Sequence, residues 1–153
     1  MIIIKQAKKK EVKELQKLND EVFIDNQKYD PDLIIDWAKS DKGKAYFTNL
    51  LNNPTACCLV AEDNKKLVGY IAATPKDFGY RKNRYLEIEN MGVIPGYRSK
   101  GIGSQLIQKC LEWTKDKGFK KAYVNYYFAN SQALEFYKKN GFSEIDISLE
   151  RNI

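Results

Sequence analysis

A chain of 153 residues with 43% hydrophobic and 30% charged residues has the size and composition of one soluble globular domain. It is long enough to bury one substantial core without disulfide or metal staples. The absence of any histidine excludes Ser-His-Asp and Cys-His catalysis and His-ligated zinc. No apolar run approaches the roughly 18 residues needed to cross a bilayer. The start, Met1-Ile2-Ile3-Ile4-Lys5, lacks the layout of a signal peptide. The expected compartment is therefore the cytoplasm. Cys57, Cys58 and Cys110 have no metal spacing, and the adjacent pair reads as small buried hydrophobes. The net charge of +6 is uneven: residues 1–97 carry 16 basic and 14 acidic side chains, residues 98–153 carry 10 and 6. A basic C-terminal third fits a polyanionic small ligand, a nucleic acid or a solvated lysine surface.

The elements follow in chain order. Ile2 to Gln6 reads as a short strand. Lys8 to Phe23 reads as a helix, with Val12, Leu15, Leu18 and Val22 at helical spacing. Asp30-Pro31 signals a second helix start, followed by Leu33, Ile34 and Trp37 on one face. Asp41-Lys42-Gly43 interrupts it, and a further helical piece runs from Lys44 to Leu51. Ala56 to Glu62 and Leu67 to Thr74 form a hairpin around Asp63-Asn64-Lys65-Lys66. Pro75 to Asn83 is a polar connection, and Arg84 to Ile94 is a longer strand. Gly101 to Lys117 is a helix with Ile102, Leu106, Ile107, Cys110, Leu111 and Thr114 on one face, stopped by Gly118. Lys121 to Phe128 is a strand, Asn130 or Ser131 caps a helix to Lys139, and Phe142 to Leu149 is a last strand. The order is β-α-α-β-β-β-α-β-α-β, an α/β mixture around one mixed, predominantly antiparallel sheet flanked by helices, as a single domain over 1–153.

Two segments carry chemistry. In Val93-Ile94-Pro95-Gly96-Tyr97-Arg98-Ser99-Lys100-Gly101-Ile102-Gly103 a strand ends, a basic glycine loop follows and a helix begins. The first turn of a helix presents unpaired N–H groups and the positive end of the macrodipole, so a pyrophosphate can bind there. Gly101 and Gly103 carry no Cβ to keep phosphate oxygens off the backbone. The spacing matches neither the dinucleotide fingerprint nor the P-loop. A glycine turn before a helix is the bland reading. The second segment is Asn130-Ser131-Gln132-Ala133-Leu134-Glu135-Phe136-Tyr137-Lys138-Lys139-Asn140-Gly141-Phe142. Alone it reads as an N-cap and a core tyrosine.

Together, Val-x-Pro-x-x-Arg-x-x-Gly-Ile-Gly and Asn-x-x-Ala-x-x-x-Tyr-x-x-x-Gly-Phe resemble the GCN5-related N-acetyltransferase (GNAT) superfamily. The element order agrees along essentially the whole chain, and the specific motifs cover about residues 85–142. The resemblance implies direct transfer of an acetyl group from acetyl-CoA to an amine of a small molecule or peptide. It implies a crevice where the strand carrying Met91 to Val93 splays from Tyr123 to Phe128. The pantetheine arm would pair there with strand backbone at Met91 and Val93, the Val93 N–H polarising the thioester carbonyl. Arg98, Ser99, Lys100, Gly101, Ile102, Gly103 and Ser104 would hold the pyrophosphate, mostly through backbone N–H. Asn130 would meet the arm, and Tyr137 would protonate the departing thiolate.

The amine must lose a proton, which calls for a base. Glu87 falls where some members carry theirs. Glu89 lies two residues on, sharing its strand face unless a bulge intervenes. Asn125, at a position that is a base in other members, cannot take a proton. Tyr123, Tyr126 and Tyr127 read as wall or core, and Trp37 and Trp113 as core. Acceptor choice in such proteins falls to the first two helices and the loops Asp25 to Asp30 and Pro75 to Asn83. That region here holds Asp25, Asp30, Asp32, Asp36 and Asp41. No metal or membrane partner is expected. A homodimer is left open, and nucleic acid ranks last as a partner because no recognisable motif accompanies the charge. The rival to an enzyme is a non-catalytic acetyl-CoA-binding regulatory domain.

Overall fold

The computed structural model describes residues 1–153. Its elements are β1 (Ile2–Gln6), α1 (Val12–Asn26), α2 (Asp41–Asn52), β2 (Cys57–Asp63), β3 (Lys66–Lys76), β4 (Tyr85–Val93), α3 (Ile102–Asp116), β5 (Lys121–Val124) and α4 (Ser131–Lys139). Two 3-10 turns, Lys9–Glu11 and Trp37–Lys39, precede α1 and α2. The five strands form one sheet in the order β1-β2-β3-β4-β5. β1 to β4 are antiparallel neighbours, and β5 pairs parallel to β4.

The sheet is covered on both faces, which explains why β2 is apolar without alternation. Cys57, Leu59 and Ala61 face one core with Val68, Ile71, Leu86 and Ile88, closed by Ile102, Leu106, Ile107 and Cys110 of α3. Cys58 and Val60 face the other with Tyr70 and Ala72, closed by Leu15 and Leu18 of α1 and Phe47 and Leu50 of α2. Val12, Leu15, Leu18 and Val22, the spacing that marked the first helix, all join this second core. The β2–β3 turn is the two-residue loop Asn64-Lys65, both at positive φ, 48° and 68°. That geometry suits the twist of a hairpin.

Four expectations need correction. The segment from Asp30 is a series of turns, and only Trp37–Lys39 makes a 3-10 turn. Asp30 does accept the Asp32 N–H at 3.0 Å, but this closes a local turn. Asp41-Lys42-Gly43 is the first turn of α2, capped by Ser40, whose side chain accepts the Gly43 N–H. Gly43 is glycine because a Cβ there would lie 2.4 Å from the Ala38 carbonyl oxygen. β3 runs through Pro75 to Lys76, and β5 stops at Val124 where its pairing with β4 ends. Phe142 to Leu149 forms no strand, because no neighbour pairs with it inside the chain.

Candidate active site

β4 and β5 pair only from Tyr85 with Lys121 to Ile88 with Val124, and then part. The opening leads into a cavity of about 1350 Å³. One wall is Ile88 to Val93 of β4, and the opposite wall is Val124 to Tyr127 with Asn130, Ala133, Phe136 and Tyr137. Tyr97 to Ser99 and Gly101 to Ser104 line one end. Asn19, Val22 and Asp25 of α1, with Trp37 and Tyr46, line the other side. The splay expected at Met91 to Val93 is thus present.

At the end of the crevice, α3 begins with Gly101 at φ 80° and no side-chain cap. Its first helical bond is Gln105 N–H to Gly101 O at 3.0 Å. The N–H groups of Ile102, Gly103 and Ser104 therefore stand free at the positive end of the helix. The two glycines serve different needs. A Cβ at Gly101 would meet nothing within 4 Å, so its glycine is required by the left-handed backbone. A Cβ at Gly103 would lie 3.0 Å from the Phe136 ring, so its glycine lets α4 pack close. Ser99 is also left-handed, at φ 61°. Its place in the loop is uncommon for a residue with a Cβ.

The loop's side chains look inward to the protein. Arg98 donates from Nε to the Val93 carbonyl at 2.7 Å and pairs with Asp25 at 2.6 Å. It ties the loop to the end of β4 and to α1. Lys100 does not line the cavity, and its ammonium lies over the Tyr97 ring, 5.4 Å from the centroid. Ser104 Oγ accepts from Asn140 Nδ2 at 3.2 Å, joining the start of α3 to the end of α4.

Asn130 caps α4, its Oδ1 accepting the Ala133 N–H at 3.1 Å, and it also lines the cavity. Tyr137 lies two turns on, packed edge-on against Phe136 and Phe142. Burial pushes its phenol up to about 12, so it stays a proton donor at neutral pH. Tyr127 donates to Asp30 at 2.7 Å, and burial with that bond raises it to about 12 as well.

The two glutamates are separated by a β-bulge. Ala72 pairs with Asn90 and Ala73 with Ile88, leaving Glu89 without a partner on β3. Glu89 lines the cavity and accepts from Tyr46 Oη at 2.8 Å. Glu87 sits within the sheet between Thr74 and Tyr123 and does not line the cavity. Burial raises its carboxyl above the ordinary value, opposed by Lys76 and reinforced by Glu89.

Residues that sequence reasoning missed complete this wall. Asn90 Nδ2 donates to Tyr46 Oη at 3.1 Å. Asn19 Nδ2 donates to Tyr70 Oη at 2.7 Å and reaches Asn90 Oδ1 at 3.4 Å. Asn19 Oδ1 is buried without a partner. Trp37, expected in the core, lines the cavity and stacks on Phe23 at 5.6 Å. Their only signal in the sequence was polar or aromatic identity, because their contacts join residues tens of positions apart.

The sequence profile of the Acetyltransferase (GNAT) family matches residues 4–142. The chain belongs to that family. It is 31% identical over 112 residues to an uncharacterised N-acetyltransferase of Methanocaldococcus jannaschii, covering 72% of this chain and 50% of that one. The chain thus spans half the length of that relative. Human N-acetyltransferase 8 is 27% identical over 105 residues, covering 69% of this chain and 44% of the relative. Among solved structures, an aminoglycoside N-acetyltransferase, AAC(6')-Iy, in complex with CoA superposes with a TM-score of 0.78 at 17% identity, covering 100% of this chain and 95% of the other. A predicted acetyltransferase from Clostridium acetobutylicum, solved with acetyl-CoA, has a TM-score of 0.79 at 24% identity, covering 99% and 96%. No helix here is long and apolar enough to cross a membrane.

Proposed function

We propose that this protein is an N-acetyltransferase that moves the acetyl group of acetyl-CoA directly to an amine of a small cationic molecule. The observation that carries this reading is one cavity holding the uncapped start of α3, the phenol of Tyr137 and the carboxylate of Glu89. We read residues 1–153 as one acetyltransferase domain working in the cytoplasm.

The free N–H groups of Ile102, Gly103 and Ser104 suit a pyrophosphate, and the unpaired inner edge of β4 from Met91 to Val93 suits the amides of a pantetheine arm. Acetyl-CoA supplies an activated thioester. Glu89, unpaired on its bulge and held by Tyr46, takes a proton from the incoming ammonium. The free amine then attacks the carbonyl carbon, and the Val93 N–H stabilises the developing oxyanion. As the C–S bond breaks, Tyr137 gives its proton to the thiolate, yielding CoA and the acetylated amine. Arg98 acts by fixing Val93 and the loop, and its guanidinium is already satisfied within the chain.

The acceptor side holds Glu21, Asp25, Asp32 and Glu89, which favours a positively charged amine. The likeness of fold to aminoglycoside acetyltransferases points the same way. An acceptor screen that reads free thiol, using spermidine, aminoglycosides, amino acids and short peptides, tests the reading. Turnover on a polyamine or aminoglycoside is expected. Tyr137→Phe should lower kcat by about 10²- to 10⁴-fold with CoA affinity nearly intact. CoA binding without turnover of any amine would leave a regulatory domain, and turnover on peptides alone would remove the small-molecule assignment.

A further inference from the structure

The last segment of the chain has the pattern of a strand but no strand beside it. Ile145, Ile147 and Leu149 alternate with Asp146, Ser148 and Glu150, the period of a strand with one face to bury. All three apolar side chains are in solvent, at 55%, 71% and 93% exposure. Every residue from Ser143 to Ile153 is exposed. The start of this arm is nevertheless fixed. The Phe142 N–H donates to the Tyr137 carbonyl at 3.0 Å, and Glu144 pairs with Lys138 at 2.8 Å.

The same chain offers an unfilled place for a strand. β5 has one neighbour, β4, so its outer edge carries unpaired backbone groups. Phe128, just beyond it, is 79% exposed. The arm does not occupy this edge in its own chain, because its first residues are bound to the C-terminal end of α4. The charges match across the gap. The arm from Ser143 on carries Glu144, Asp146 and Glu150 against one base, Arg151, while Lys120, Lys121, Lys138 and Lys139 flank β5 and α4.

We propose that two copies of the chain exchange these arms, residues 144–150 of each adding a sixth strand to the β5 edge of the other. A two-fold exchange fills both edges at once and closes, so the assembly stops at two. It buries the apolar stripe and pairs the edge with one operation. The second copy then supports the outer side of the wall formed by Val124 to Tyr127, which lines the cavity. This inference rests on the arm and the edge alone, so its test needs no acetyl-CoA and stands apart from the proposed activity.

The mass of the full chain in solution, from light scattering after gel filtration, is expected to be twice the 17.7 kDa of one chain. Ile147→Asp combined with Leu149→Asp should halve that mass with an unchanged far-UV spectrum. Hydrogen exchange on the unmodified chain should show amides of 145–150 and of β5 protected together, with both losing protection on dilution. This second measurement decides the matter if the variant does not fold. A one-chain mass overturns the proposal, whether the arm is protected on its own β5 or exchanges freely. A two-chain mass that survives both substitutions overturns it too, because the interface then lies elsewhere.

Discussion

Tyr46 shows how a side chain outside any motif comes to matter. Its hydroxyl donates to Glu89 while accepting from Asn90. Burial, and then the nearby Glu89 charge, raise its pKa, so it remains a donor across the working range. Tyr46→Phe and Glu89→Gln should each lower kcat. In the double variant the losses should fail to add, with a coupling of about 0.5–3 kcal/mol. Strict additivity in the measured cycle would mean that Tyr46 does not act through Glu89. Glu87 gives a separate prediction. Its carboxyl is raised above 4.5 in the fold. Stability from its protonated form is therefore fully present below that value and lost as pH rises through the raised one. Glu87→Gln, which cannot ionise, should gain stability relative to the parent as pH rises from about 4 to 7. Urea titrations across that range check it, and a relative loss would show that the carboxylate is stabilised by its surroundings.

At the scale of elements, the helix α3 was legible from its sequence because its apolar stripe, its glycine start and Gly118 all agree with one another. The loop before it was legible as an anion site for the same local reasons. What could not be read was the division of labour between Gly101 and Gly103, since the second depends on Phe136 of a later helix. Gly43 is the sharpest case. By propensity it looks like a helix breaker, and Gly43→Ala should help a helix by about 1 kcal/mol. In the fold its Cα faces the carbonyls of Trp37 and Ala38, with a Cβ placed 2.6 Å and 2.4 Å from their oxygens. Gly43→Ala should therefore destabilise the protein by roughly 1–3 kcal/mol. A chemical denaturation midpoint that rises would show that the turn at Trp37 yields easily. The bulge at Glu89 was equally hidden, because the extra residue exists only relative to the pairing of β3.

At the scale of the whole molecule, two cores hold a sheet whose last two strands diverge, and the cavity lies where they part. The sequence by itself determined the element order, the anion-binding loop, the paired motifs and the place of Tyr137. These depend on periodicity, on backbone preferences and on spacing along one chain, all of which are local. Only the tertiary structure decided that Glu89 rather than Glu87 meets the cavity, that Arg98 is spent on Asp25 and Val93, and that Tyr46 and Trp37 form its wall. It alone left the last predicted strand without a neighbour. Those outcomes depend on strand register and on contacts between distant segments, which no local pattern encodes.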